Sequence, residues 1–331
     1  MQPDSVKTVL VTGANGFIGS RICGILAASG YAVRIIKRST SDLSLLKDIP
    51  VEPMTGDITD PESLKAAVTG VDYIIHLAGL IKARSEAEFM RVNQQGVLNL
   101  LNAVKNNNLN LKKFVLVSSV AAAGPAGGRP RKESDPPAPL TAYGRSKLAG
   151  EQSAKPFFDL LPLIIIRPPA VYGPGDKAIF SLFEMAAKGI KPLLGGGKNK
   201  AQMIYVDDLA RAIIMAMESE RGNGQAFFIA EQKSNTVAEL MDIMSHRVNR
   251  RCLPIYIPRW LVMVCAFFSE KFSKLFGKAP LFSLDKAREL MADWELDVSA
   301  ARDILGFEAE VDFNAGAERA VNWYRREGWL K

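Results

Sequence analysis

The chain is predicted to fold as an α/β protein: a doubly wound parallel sheet, with a smaller C-terminal lobe. Three observations predict it. A β-branched run, Val9-Leu10-Val11-Thr12, stops at a glycine turn and is followed by a helical apolar pattern through Phe17, Ile18, Ile22 and Leu26. Apolar strand-like runs then alternate with helical segments over the first half of the chain, the pattern of βαβ units. The fourth of these runs, Val71 to Leu77, is almost unbroken in hydrophobicity, as expected of a strand covered by helices on both faces. The glycines at 13, 16 and 19 make this a Rossmann-type sheet with a dinucleotide site. A tight turn needs backbone angles that a Cβ forbids, and a pyrophosphate approaches backbone only where no side chain intrudes. The helix that follows offers free N–H groups to that anion. Gly13, Asn15, Gly16, Phe17, Ile18 and Gly19 are therefore candidate cofactor contacts.

Composition narrows the function. The 331 residues are 48% hydrophobic, enough for a large core and a second lobe. The net charge of +7 is spread along the chain, without a basic block, which argues against a nucleic-acid partner and for anionic small molecules. Three cysteines, Cys23, Cys252 and Cys265, lack CxxC spacing, so neither disulfides nor zinc are expected. Two histidines, His76 and His246, leave little material for a metal site or a Ser-His-Asp triad. Met1 to Ser5 has no leader-like pattern, and a cytoplasmic location is expected.

In chain order, a second strand spans Tyr31 to Ile36 and ends at Lys37-Arg38. A strand end about 20 residues past the glycines faces the adenosine ribose. Basic residues there favour the 2′-phosphate of NADP over the 2′-hydroxyl of NAD, unless both are simply solvated. A third strand, Val51 to Met54, precedes Gly56-Asp57-Ile58. Asp57 is placed to accept from an adenine amino group, or is a turn aspartate bonding its own backbone. Asp60 before Pro61 reads as a helix cap. The fourth strand ends at His76-Leu77-Ala78-Gly79, where small residues let backbone pack on a cofactor, and His76 reads as a packed strand-end residue. A helix from Glu86 to Asn106 carries Asn93, either a buried amide anchoring backbone near the site or a solvated one. Lys113 to Val117 is the fifth strand, ending at Ser118-Ser119. Residues 120–140, rich in Gly and Pro, form a loop over the site.

Thr141 caps a helix that begins Ala142-Tyr143-Gly144-Arg145-Ser146-Lys147. Tyr143 and Lys147 lie four apart and share one face. A phenol is a poor acid or base at neutral pH, with an ordinary pKa near 10. A neighbouring ammonium is expected to lower it. Ser119, at a neighbouring strand end, would hold a substrate oxygen beside the phenol. The three together suit proton transfer to or from a carbonyl while a nicotinamide transfers hydride. The sixth strand, Leu163 to Arg167, leads into Pro168-Pro169-Ala170-Val171. Asp207 and Asp208 open a later helix, one of them capping it and both structural.

These motifs, TGANGFIG at 12–19, GDI at 56–58, HLAG at 76–79, Ser118-Ser119, YGRSK at 143–147, RPPAVYGPGD at 167–176 and YVDDLA at 205–210, stand in the order of the extended short-chain dehydrogenase/reductase superfamily, the NAD(P)-dependent epimerases, dehydratases and reductases. The chain resembles that superfamily over most of its length. The resemblance implies Tyr143 as acid/base, Lys147 as its partner and ribose contact, and Ser119 as substrate-oxygen donor. It also implies that Asn93, Pro168 and Val171 line the cofactor site, that residues 1–167 bind the dinucleotide and 168–331 mainly the substrate, with some segments of the latter returning to the sheet, and that the protein is a homodimer. Nucleotide-sugar epimerases of the superfamily carry Asn and Arg where this chain has Ala170 and Ala201; Lys198 and Lys200 are possible substitutes. The wording of 167–176 looks more like the 3β-hydroxysteroid dehydrogenase and dihydroflavonol-reductase branches, which act on hydrophobic alcohols and ketones.

Pro258 to Phe276 carries Trp260, Val264, Phe268, Phe272 and Phe276 at four-residue spacing. The first reading is a core helix of the second lobe; the other is a lid or interfacial helix in peripheral contact with a membrane. Glu270, Lys271 and Lys274 exclude a transmembrane span.

Overall fold

The computed structural model describes residues 6–275 and 282–330. Met1 to Ser5 and Phe276 lie outside that range. Six strands form the sheet's first part: β1 (Thr8–Thr12), β2 (Ala32–Lys37), β3 (Glu52–Thr55), β4 (Tyr73–His76), β5 (Lys113–Val117) and β6 (Leu163–Arg167). Their order is β3-β2-β1-β4-β5-β6, all parallel, with a seventh strand, Ala226–Phe228, beyond β6. Winding reverses between β1 and β4, and such a switch point leaves a crevice at the strands' C-terminal ends.

Both faces of the sheet are covered. Val9, Val11, Ile35, Ile75, Val115 and Ile164 pack toward helices Phe17–Ala28 and Val206–Glu218. Leu10, Ile74, Phe114, Leu116 and Leu163 pack on the other side against Gly96–Asn107. Alternate residues of one strand thus enter two cores, as a period of two requires. A separate core built on Tyr172, Phe183, Tyr205, Leu240, Phe313 and Tyr324 fills the second lobe.

Four expectations need correction. The helix from Glu86 is not continuous: Glu86–Phe89 is α-helical, Met90–Gln95 is a π-helical turn, and Gly96–Asn107 resumes the α-helix. The segment 120–140 is not all loop, because Val120–Ala123 forms a short helix capped by Ser119. The remainder is tied down, with Ala126 and Arg131 N–H donating to the carbonyls of Asp293 and Glu295. Neither Asp207 nor Asp208 caps its helix: Tyr205 is the cap residue, and both aspartates fall inside the first turn. They brace structure instead. Asp207 pairs with Arg21, and Asp208 accepts from the N–H groups of Glu310 (3.0 Å) and Val311 (2.8 Å).

The fourth correction concerns helix Arg259–Leu275. Its apolar stripe is not a core face. Trp260, Val264, Phe268 and Phe272 are exposed, while Val262 and Ala266 face inward.

Candidate active site

The glycine turn and the helix of Tyr143 approach the crevice from two sides. Gly13 has φ +71°, and a Cβ on it would stand 2.8 Å from the Ala78 nitrogen; one on Gly19 would stand 2.2 Å from the Gly13 carbonyl oxygen. The turn at the end of β1 is therefore pressed against the end of β4 and against its own helix, which no side chain permits. Helix Phe17–Ala28 starts at Gly16 with no side-chain cap and no acid in its first turn. Its first N–H groups remain available to an anion. This cradle suits the pyrophosphate of a dinucleotide.

The groove running from the turn is lined by Thr12, Gly13, Asn15, Arg38, Ser41, Asp57, Ile58, Thr59, Ala78, Gly79 and Arg91, among others. Arg38 lines it and Lys37 does not. Val33 and Ile35 belong to one core and Ile36 to the other, so alternation turns Lys37 away from Arg38. Asp57 Oδ1 accepts from Thr59 N and Oγ1, both at 2.8 Å, the turn bond that was one of its two readings. Burial pushes the Asp57 pKa up, but the Thr59 bonds and the charges of Arg38 and Arg91 outweigh it and hold the carboxyl below its ordinary value. Ser41, Thr59 and Arg91 were not singled out from sequence. Arg91 reaches the groove from the start of the π-turn.

His76 is packed at the end of β4. Its Nδ1 lies 2.7 Å from Thr12 Oγ1, and burial, helped by the charge of Lys147, pushes its pKa down to about 3. It is a neutral structural imidazole.

Asn93 is buried, and its amide is fully engaged. Its Oδ1 accepts from Leu80 N (2.7 Å), and its Nδ2 donates to Leu80 O and Ser146 Oγ (2.9 Å each). Ser146 Oγ in turn donates to Tyr143 O at 2.7 Å. The residue thus ties the loop after β4 to the helix Ala142–Ala154.

That helix is capped by Thr141, whose hydroxyl accepts from Gly144 N at 3.0 Å. At Gly144 a Cβ would stand 2.4 Å from the Ala121 carbonyl oxygen, so the helix lies directly on the short helix that Ser119 caps. Ser119, whose hydroxyl accepts from Ala121 N at 3.1 Å, thereby stands near enough to the Tyr143 phenol to lower its pKa. Lys147 Nζ donates to the Val117 carbonyl at 2.7 Å, one step before the serines. Behind it, Glu151 and Arg167 form a buried bidentate pair, at 3.0 and 2.6 Å, that locks the helix to β6. The Pro168 carbonyl accepts from Val120 N at 3.0 Å, and Val171 lies in strand Ala170–Tyr172, paired with Met203–Tyr205.

The electrostatics differ from expectation. Burial pushes the Tyr143 phenol up to about 12; the Ser119 hydrogen bond opposes this and the charge of Glu289 adds to it. The lowering expected from Lys147 does not prevail over burial; its ammonium donates to the Val117 carbonyl. Burial pulls Lys147 itself down to about 8, against the favourable charge of Glu151. At neutral pH the phenol therefore keeps its proton, the state required of a donor.

Residues 9–230 match the model of the NAD dependent epimerase/dehydratase family. A ceramide reductase from Caulobacter vibrioides is 31% identical over all of this chain and 98% of its own length. A UDP-glucose 4-epimerase from Vibrio cholerae is 27% identical, with 95% of this chain and 94% of its own covered. Among solved structures, MoeE5 in complex with UDP-glucuronic acid and NAD superposes with a TM-score of 0.76 at 25% identity, covering 97% of this chain and 99% of that one. The glycine cradle, the strand order and these matches lead to one conclusion: the chain is an enzyme of the NAD-dependent epimerase/dehydratase family.

Proposed function

We propose that the protein is an NAD(P)-dependent oxidoreductase acting on a secondary alcohol or ketone of a hydrophobic, lipid-like substrate. The observation that carries the reading is the arrangement of Ser119, Tyr143 and Lys147 at the ends of β5 and the neighbouring helix. A bound nicotinamide dinucleotide supplies the hydride chemistry. Ser119 holds the substrate oxygen, and Tyr143, protonated at neutral pH, donates its proton to that oxygen as reduction proceeds. Lys147 carries positive charge beside the ribose, and Asn93 acts through the Leu80 loop it holds.

The substrate class rests on what is missing and on a relative. Ala170 and Ala201 lack the polar groups that would fix a diphosphate. Of the two lysines that could substitute, Lys200 is paired with Glu295 at 2.9 and 3.1 Å. The ceramide reductase matched along the whole chain acts, by its name, on a lipid. A second reading, nucleotide-sugar epimerase, is favoured by the Vibrio relative and the MoeE5 complex. Calorimetric titration with UDP-glucose, alongside cofactor oxidation with a long-chain keto-lipid, separates the two. Turnover of the keto-lipid without UDP-glucose binding supports the oxidoreductase; tight UDP-glucose binding contradicts it.

For the cofactor, Arg38 and Arg91, which line the groove with Asp57 and whose charges act on it, support NADP over NAD. Arg38→Ala is expected to weaken NADPH about tenfold or more and NADH little, by fluorescence titration. Equal losses count against the preference.

A further inference from the structure

Helix Arg259–Leu275 wears its large apolar residues on the outside. Val262 and Ala266 are buried and pack, with Ala287 and Met291, against helix Leu284–Leu290. Trp260, Leu261, Val264, Phe267, Phe268 and Phe272 point to solvent; Trp260 is 67% and Phe268 65% exposed. Their spacing, in steps of three and four, makes a single continuous stripe. The strand that leads into the helix, Leu253–Ile257, also exposes Leu253 and Tyr256, 71% and 67%, on its two faces. Scattered surface apolar residues need no explanation, but a contiguous aromatic face of this kind marks a contact.

Charge indicates what the contact is. Arg250, Arg251 and Arg259 are exposed at the start of the stripe, and no carboxylate among the described residues lies within ion-pair distance of them. Lys271 lies 5.7 Å over the Phe267 ring within it. The acid nearest along the helix, Glu270, is directed inward, accepting from Leu284 N at 3.4 Å. A second copy of this chain would bring the same cations against these, an unfavourable pairing. An anionic bilayer offers both what the aromatics and what the arginines need, and Trp and Tyr rings settle at its headgroup level. No helix among the described residues is long and apolar enough to cross a membrane.

We infer that this face docks the enzyme on an anionic lipid bilayer, with helix Arg259–Leu275 lying in the headgroup plane. The geometry joins that plane to the site. Helix Leu284–Leu290 lies directly beneath, its Asp285 is 4.0 Å from Arg145 on the helix of Tyr143, and the charge of Glu289 reaches the phenol. A lipid leaving the bilayer here is one helix layer from Tyr143. Docking goes beyond the reading of the site and requires no turnover, so the two fail separately.

Flotation of the full chain with phosphatidylcholine vesicles, with and without phosphatidylglycerol, tests the inference. Expected is binding to the phosphatidylglycerol vesicles at least tenfold tighter than to phosphatidylcholine alone, weakened by high salt. Trp260→Glu with Phe268→Glu, and separately Arg250→Glu with Arg251→Glu, are each expected to lose tenfold or more, with melting and dinucleotide binding unchanged. Absence of binding to phosphatidylglycerol vesicles, or equal binding to both compositions, overturns it. So does a wild-type dimer, by sedimentation velocity, that the Trp260→Glu/Phe268→Glu variant converts to monomer, since a second copy then covers the face.

Discussion

Two residues one helical turn apart are displaced in opposite directions by the same cause. Burial pushes Tyr143 up to about 12 and pulls Lys147 down to about 8, because in each case the charged form loses its water. The lysine's displacement has a thermodynamic signature. Its ordinary value is 10.5, so between about pH 8 and 10.5 the unfolded chain binds more protons than the native one. Stability contributed at this position therefore rises with pH across that window and is flat below it. Thermal melting of wild type and Lys147→Met from pH 7 to 10 is expected to show the wild type gaining a few degrees on the variant above pH 8. A constant difference over that range contradicts the assigned burial. Spacing in the sequence put Tyr143 and Lys147 on one face, and that is where they are. It did not reveal how dry the site is, nor that the Val117 carbonyl holds the ammonium, since neither is a property of spacing.

At the scale of elements, the π-turn Met90–Gln95 does the positioning. It carries Asn93, which bonds both backbone groups of Leu80 and the Ser146 hydroxyl, and Arg91, which lines the groove. Asn93→Ala leaves the partly buried Leu80 N–H and C=O and the Ser146 hydroxyl without those partners, at a cost of about 1–3 kcal/mol. Denaturant unfolding measures it, and a rise in cofactor Kd is expected to accompany it; a variant as stable and as tight-binding as wild type contradicts the role. The strands of β1 to β6 were legible within a residue or two because their apolar runs are bounded by turn residues. The seventh, Ala226–Phe228, was not, being three residues long and held by pairing with β6 instead of by pattern. The helix Arg259–Leu275 was legible as a helix, but periodicity fixes a stripe and not the side it faces, so core and surface stayed open until the packing of Val262 and Ala266 decided it.

On the scale of the whole molecule, the two lobes divide the labour by their cores. The parallel sheet has a core on each face and its switch point opens the groove beside the glycine turn, while a separate aromatic core is built around Tyr172 and Tyr324; we propose that the first part binds the dinucleotide and the second mainly the substrate. The glycine motif announced the groove because conformational necessity restricts those positions to one residue type. The substrate side was less legible: the proposed lipid-like substrate rests on absences, Ala170 and Ala201, which no motif announces. The account stands on Tyr143 delivering a proton while a dinucleotide is held independently of it. Single-turnover oxidation of bound NAD(P)H by a long-chain keto-lipid, followed by nicotinamide absorbance in wild type and Tyr143→Phe, tests this most directly. A rate lowered by about 10²–10⁴, with cofactor affinity unchanged, is the predicted result; a Tyr143→Phe enzyme that turns over at the wild-type rate contradicts it.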